Sequence, residues 1–132
     1  MSIRKTILIA EDNAAISHIY QRLCETYFDV NVLTAENGVK ALKLVNNSNI
    51  DFILCDVMMP EMDGLELITR IRESDKNREV PIVMCTTLAD QRTILQGIKS
   101  GANDILVKPV PQRLLLEKII RYLNIEPIKK IS

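Results

Sequence analysis

Short apolar runs alternate with stretches of helical period five times along this chain. The apolar runs are residues 6–10, 30–35, 52–55, 82–85 and 104–107. Apolar side chains recur at helical spacing in residues 14–27, 39–45, 65–73, 92–100 and 111–123. The short runs are continuously apolar rather than alternating, which is typical of strands covered on both faces. Because βαβ crossovers are right-handed, the pattern predicts a doubly wound α/β fold with a parallel sheet between two helix layers.

Single residues mark where several of these elements begin and end. Asn13 is a favourable N-cap for the first helix, Pro81 precedes the fourth strand, and Gly101 is a typical residue at a helix C-terminus. A length of 132 residues suits one domain with a real core. We expect a single domain over 1–132, with a core of about 5–123 and a tail, 124–132, that frays or lies on the surface.

Composition excludes several functional classes. Seventeen basic and seventeen acidic residues cancel, which argues against direct nucleic-acid binding. No apolar run approaches the roughly 18 residues of a membrane span, so we expect no membrane insertion. The N-terminus lacks the apolar stretch and cleavage site of a signal peptide, and a cytoplasmic location is expected.

The cysteines, Cys24, Cys55 and Cys85, form neither a disulfide framework nor a zinc motif, because their number is odd and no CxxC spacing occurs. Reduced, buried thiols are expected. Cys55 and Cys85 each precede a polar residue at a strand end, and we expect the two to point to the same side of the sheet.

Polar side chains stand at four of the predicted strand ends. Glu11 and Asp12 follow the first strand, and Asp56, Thr86 and Lys108 end the third, fourth and fifth. If the strand order is 2-1-3-4-5, these positions share one rim, where open α/β sheets bind ligands. The alternation of elements does not by itself supply that order.

These residue types suit phosphoryl chemistry. Carboxylates held together repel one another unless a cation lies between them, and Mg²⁺ prefers oxygen ligands. Lys108 and Thr86 could hold phosphoryl oxygens, and Asp56 could attack phosphorus as a nucleophile. Taken singly, Asp56 could merely end a strand, and Glu11 and Asp12 could merely favour a helix N-terminus.

The chain resembles a response-regulator receiver domain over about residues 5–123. The resemblance is carried by the pair Glu11 and Asp12, the stretch 56–64 (DVMMPEMDG), Thr86, and Lys108 followed by Pro109. It implies a flavodoxin-like (βα)5 fold with strand order 2-1-3-4-5. It also implies a phosphorelay in which Asp56 accepts a phosphoryl group from a phosphohistidine on a sensor histidine kinase or histidine phosphotransfer protein.

The resemblance also implies a role for each site residue. A Mg²⁺ ion, with Mn²⁺ as an alternative, would be held by Asp12, Asp56, the backbone carbonyl of Met58 and, through water, Glu11. Lys108 and Thr86 would hold the phosphoryl oxygens. The peptide bond between Lys108 and Pro109 is expected to be cis, as it often is in the family.

Two positions depart from the family pattern. Ile105 stands where many receivers have a Tyr or Phe whose rotation couples to the Thr, so the switch is expected to differ in detail. Met58 and Leu88 stand at the two positions that flank the path of the attacking water. Neither side chain can orient water through a hydrogen bond, and we expect slow self-dephosphorylation.

The resemblance implies a signalling switch rather than an enzyme. Because the chain ends soon after the fifth helix, we expect a stand-alone receiver whose output runs through protein contacts made by helix 4, strand 5 and helix 5, residues 92–123. One alternative is a pseudo-receiver, an interaction module that is never phosphorylated. The other is a phosphatase of the haloacid dehalogenase type, which requires a second Asp where Met58 stands.

Overall fold

A computed structural model of the protein describes residues 4–87 and 90–131. The strands are β1 (Lys5–Ala10), β2 (Val30–Ala35), β3 (Phe52–Asp56), β4 (Ile82–Thr86) and β5 (Asp104–Val107). The helices are α1 (Ala14–Tyr27), α2 (Gly38–Asn47), α3 (Gly64–Arg72), α4 (Gln91–Ser100) and α5 (Gln112–Leu123). All strand pairs are parallel and the sheet order is β2-β1-β3-β4-β5, which confirms the predicted fold. Predicted and observed element ends differ by at most two residues.

Polar side chains start three helices at the rim where the strands end. The side chains of Asn13, Asn37 and Asp63 accept hydrogen bonds from backbone N–H groups in the first turns of α1, α2 and α3, at 3.1, 2.8 and 2.9 Å. Gly101 ends α4 with a φ of 120°, in the left-handed region that favours glycine. The predicted roles of Asn13 and Gly101 are therefore confirmed.

Each face of the sheet is covered by its own apolar cluster. Side chains from α1 and α5 pack on Ile9, Phe52 and Leu54, while those of α2 and α3 pack on Leu8 and Ile53. Successive strand residues point to opposite faces, and in the central strands β3 and β4 both faces are buried. That arrangement explains why these two strands read as continuous apolar runs, whereas the edge strands β2 and β5 are partly exposed.

The expected common orientation of Cys55 and Cys85 is wrong. Cys55 pairs laterally with Met84, whereas Cys85 pairs with Asp56. Cys55 consequently belongs to the cluster under α2 and α3, and Cys85 to the cluster under α1 and α5. A register shift of one residue reverses the face that a side chain occupies. Both thiols are free and buried, as is that of Cys24, as expected.

The tail lies along the surface near the end of α1, one of the two arrangements expected for it. The N–H of Ile128 donates to the carbonyl of Tyr27 at 2.7 Å, and the Lys129 ammonium lies 5.6 Å from the centre of the Tyr27 ring. Ile125 and Ile131 are partly buried against the cluster beneath α1 and α5. In the described part of the chain, no helix is long and apolar enough to cross a membrane.

Candidate functional site

The sheet brings the predicted polar residues to one rim. Asp56 and Thr86 are the last residues of the neighbouring strands β3 and β4. Glu11 and Asp12 follow β1 directly, and Lys108 follows β5. Because carboxyl ends of parallel strands meet at the same edge, residues far apart in the sequence face one another there.

Lys108 joins two carboxylates at this rim. Its Nζ lies 2.5 Å from Oε1 of Glu11 and 3.1 Å from Oδ2 of Asp56. The three side chains are 11%, 3% and 9% exposed, so solvent screens their interaction weakly. The sequence indicated Lys108 as a partner of phosphoryl oxygens but gave no sign of its contact with Glu11.

Burial and hydrogen bonding set the charges of this cluster. Burial alone would lower the pKa of Lys108, but its hydrogen bonds to Glu11 and Asp56 outweigh that effect and raise the pKa to about 12. Burial raises the pKa of Glu11, and the hydrogen bond from Lys108 opposes the rise. Lys108 therefore remains an ammonium at neutral pH.

Three carboxylates can converge on one point. One oxygen each from Glu11, Asp12 and Asp56 lies within 4.8 Å of the other two. Asp12 is exposed and the other two are buried, so the cluster opens to solvent on the Asp12 side. The N–H of Asn13 donates to Oε2 of Glu11 at 3.1 Å, which helps to fix the orientation of that carboxylate. An all-oxygen donor set of this charge fits Mg²⁺ better than metals that prefer nitrogen or sulfur.

The loop after β3 is held close to Asp56. The N–H of Gly64 donates to the carbonyl of Val57 at 2.8 Å, and a Cβ at Gly64 would collide with the backbone carbonyl oxygen of Asp56. Glu61 has a φ of 69° and lies at the centre of a three-residue turn closed by the Met62 N–H and the Pro60 carbonyl at 2.8 Å. The sequence marked this loop as a turn but not the strained residue within it.

Met58, Thr86 and Pro109 complete the rim. Met58 follows β3 with 61% of its surface exposed, whereas Thr86 is fully buried. The carbonyl of Thr86 accepts the N–H of Lys108 at 2.9 Å, tying the ends of β4 and β5 together. The peptide bond between Lys108 and Pro109 is cis, as expected. Leu88, the second residue expected beside the water path, lies outside the described residues.

Comparison with known families decides what kind of domain carries this site. Residues 7–120 match the response regulator receiver domain. The chain belongs to this family. Receiver domains are signalling modules of two-component systems and CheY-like proteins, not ordinary enzymes, and this receiver domain has the sheet order of that fold.

Individual relatives agree with the family match. This receiver domain is 32% identical over 114 residues to the chemotaxis protein CheY homolog of Campylobacter jejuni, covering 86% of this chain and 88% of the relative. Its fold is similar to that of Vibrio cholerae CheY4, with a TM-score of 0.85, 29% identity and coverage of 92% and 100% of the two chains.

A further solved structure shows a magnesium ion in a relative. The receiver domain of the sensor histidine kinase PA1611 of Pseudomonas aeruginosa matches with a TM-score of 0.84 and 26% identity, covering 93% of this chain and all of the other. In that structure the magnesium ion is coordinated in the active site cleft.

Proposed function

We propose that Asp56 accepts a phosphoryl group in a Mg²⁺-dependent reaction and that the receiver domain signals through the resulting change. The observation that carries the proposal is the convergence of Glu11, Asp12 and Asp56 within 4.8 Å, with the Lys108 ammonium 3.1 Å from Asp56. A nucleophilic carboxylate, an oxygen-rich cation site and a fixed positive charge are together the requirements of phosphoryl transfer to Asp.

In the proposed reaction a carboxylate oxygen of Asp56 attacks the phosphorus of a phosphohistidine. The new P–O bond forms as the P–N bond breaks, and the imidazole leaves with the bonding electrons and takes up a proton. Lys108 and the Thr86 hydroxyl hold the phosphoryl oxygens. Asp12, Asp56, the Met58 carbonyl and, through water, Glu11 would hold Mg²⁺, which would supply positive charge against those oxygens.

The phosphodonor is a sensor histidine kinase or a histidine phosphotransfer protein, and the output is a protein contact through α4, β5 and α5. That surface presents large apolar side chains to solvent. Leu95, Ile98 and Val107 are 56%, 57% and 46% exposed. Exposed apolar residues grouped on one surface favour contact with another protein.

Intact mass after incubation with Mg²⁺ and a small phosphodonor such as acetyl phosphate tests the proposal. Wild type is expected to gain one phosphate only when Mg²⁺ is present, and Asp56→Asn none. A wild type that gains no phosphate under any condition supports the non-phosphorylated interaction module. Rapid turnover of the donor without stable phosphoprotein supports a phosphatase.

The acyl phosphate is expected to hydrolyse slowly by itself. Met58, two residues after Asp56, is exposed beside the site and has no group that could orient a water molecule. We expect the double variant Met58→Asn with Leu88→Glu to lose phosphate about tenfold faster than wild type, since general acid–base and positioning groups have effects of that order or larger. Equal decay rates in the two proteins, followed by intact mass, would contradict this explanation.

A further inference from the structure

Helix α4 rests on the sheet through small side chains. Its buried residues are Thr93 and Gly97, whereas α3 buries the large side chains of Leu67, Ile68 and Ile71. Of its three large apolar residues, Ile94 is half-buried, and Leu95 and Ile98 are more than half exposed. The N-cap residue of α4, Asp90, makes no side-chain capping bond. Apolar burial therefore anchors α4 to the sheet less than it anchors α3, and elements with few buried apolar contacts are the ones that move most readily.

Gly97 is the point at which α4 comes closest to the strands. A Cβ placed there would lie 2.5 Å from Cε of Met84, 3.0 Å from its Sδ and 3.3 Å from Cδ1 of Ile105. The missing Cβ lets the helix backbone lie directly on these two side chains. Met84 and Ile105 are lateral partners on β4 and β5, so they form one continuous contact surface under the helix.

Met84 also stands close to the phosphorylation site along its own strand. It lies two residues before Thr86 on β4, and side chains two apart in a strand point to the same face. Met84 is fully buried, so it cannot move without displacing a neighbour. It lies between the rim, where Thr86 ends the strand, and the backbone of α4 at Gly97.

The two side chains under Gly97 differ in how they respond to a shift. Ile105 is β-branched and stiff at its first torsion. Met84 is unbranched, with three rotatable bonds, and can change shape in place. Because Met84 lies against the α4 backbone at Gly97, a change in the conformation of Met84 alters the packing directly beneath that helix.

We propose that Met84, through its contact with Gly97, transmits the phosphorylation state of Asp56 to helix α4. The proposal rests on the phosphoryl-acceptor function of Asp56 given above. Attraction of the Thr86 hydroxyl to the phosphoryl group shifts the end of β4, Met84 repacks, and α4 changes position on the sheet. The coupling replaces the aromatic rotation that Ile105 cannot provide, and it delivers the signal to the helix that presents Leu95 and Ile98.

NMR spectroscopy with beryllofluoride and Mg²⁺ as the phosphoryl mimic tests the coupling. In wild type, beryllofluoride is expected to shift the methyl resonance of Met84 and the amide resonances of 91–100. Met84→Leu keeps the side-chain volume but loses the flexible thioether. The beryllofluoride-induced shifts of the α4 amide resonances should fall to less than about half of those in wild type, because the leucine side chain packs in the same way with and without beryllofluoride. Gly97→Ala should displace the Met84 methyl resonance even without beryllofluoride.

Fluorine NMR of bound beryllofluoride separates the possible failures. Ile9→Val, a conservative change in the opposite layer, is the matched control and should leave the α4 response intact. Beryllofluoride that binds wild type and both variants, with an undiminished α4 response in the variants, overturns the role of Met84 alone. The role of Met84 is also overturned if wild type binds beryllofluoride but its α4 amide resonances do not shift. Absence of binding to wild type overturns the acceptor function and the coupling together.

Discussion

At the scale of single residues, the Lys108 ammonium occupies the position between Glu11 and Asp56 that a cation would also favour, 2.5 Å and 3.1 Å from their oxygens. Lys108→Met keeps the aliphatic stem and removes the charge. We expect Mg²⁺ to bind this variant more tightly by about 1 kcal/mol, roughly fivefold, because a nearby positive charge is lost. Titration calorimetry measures the change.

Lys118→Met is the matched control for that experiment. Lys118 pairs with Asp104 at 2.6 Å, and Asp104 is the first residue of β5, at the opposite end of the sheet from the acidic cluster. Its replacement should leave Mg²⁺ affinity unchanged. Unchanged or weaker Mg²⁺ binding in Lys108→Met would show that the ammonium does not oppose the ion.

Glu61 carries backbone strain in the loop after Asp56. Its φ of 69° costs an L-residue about 1–2 kcal/mol, and glycine adopts this conformation freely. Glu61→Gly is expected to stabilise the fold by about 0.5–1 kcal/mol, the remainder being lost to the greater freedom of unfolded glycine. Urea unfolding measures it. Glu66→Gly, within α3, should destabilise by about 1 kcal/mol, and equal effects of the two changes would rule out strain at Glu61.

The sequence identifies Asp56, Thr86 and Lys108 because each ends an apolar run, a pattern that places side chains at a sheet rim. It does not identify the contact of Lys108 with Glu11, because the path of a long side chain depends on which strands are adjacent. The strain at Glu61 was likewise invisible, since Glu gives no sequence signal for a positive φ.

At the scale of elements, a polar contact joins β5 to α5. Asp104 accepts hydrogen bonds from the Lys118 ammonium at 2.6 Å and the Ile105 N–H at 2.9 Å. Burial would raise the pKa of Asp104, but these bonds outweigh it and lower the pKa. A carboxyl group with a lowered pKa stabilises the fold above its ordinary pKa, and the contribution is lost as the pH falls through the lowered value.

Asp104→Asn should therefore destabilise the protein at pH 7, by no more than about 1 kcal/mol because the pair is partly exposed. The difference from wild type should shrink as the pH falls below about 4, the ordinary pKa of Asp, because the carboxyl group takes up a proton first in the unfolded chain and, at still lower pH, in the folded protein. Urea unfolding at both pH values measures the effect. Asp75→Asn, at an exposed position, is the control. A difference of the same size at both pH values would contradict the role given to the Asp104 carboxylate.

Element ends were predictable where the chain carries local signals. Asn13 and Gly101 marked helix ends through their capping chemistry. The faces of the sheet on which Cys55 and Cys85 lie were not predictable, because the lateral register depends on how two strands align with each other. The close approach of α4 to the sheet at Gly97 was not predictable either, since a glycine within a helix has several explanations in sequence alone.

At the scale of the whole molecule, the site exists only when the sheet is assembled. Lys108 and Glu11 are separated by 97 positions in the chain, and β1, β3, β4 and β5 must be adjacent for them to meet. Alternating elements predicted the class of fold, while the strand order came from the resemblance to receiver domains. The observed order confirms it, and the family match over 7–120 agrees.

The central claim is that Asp56 carries the phosphoryl group. Borohydride reduces an aspartyl phosphate to homoserine, so reduction after phosphorylation with acetyl phosphate and Mg²⁺, followed by peptide mass mapping, identifies the modified residue. We expect homoserine at position 56 alone, and none when Mg²⁺ is withheld. Homoserine at Asp12 or another acidic residue, with Asp56 intact, would contradict the account.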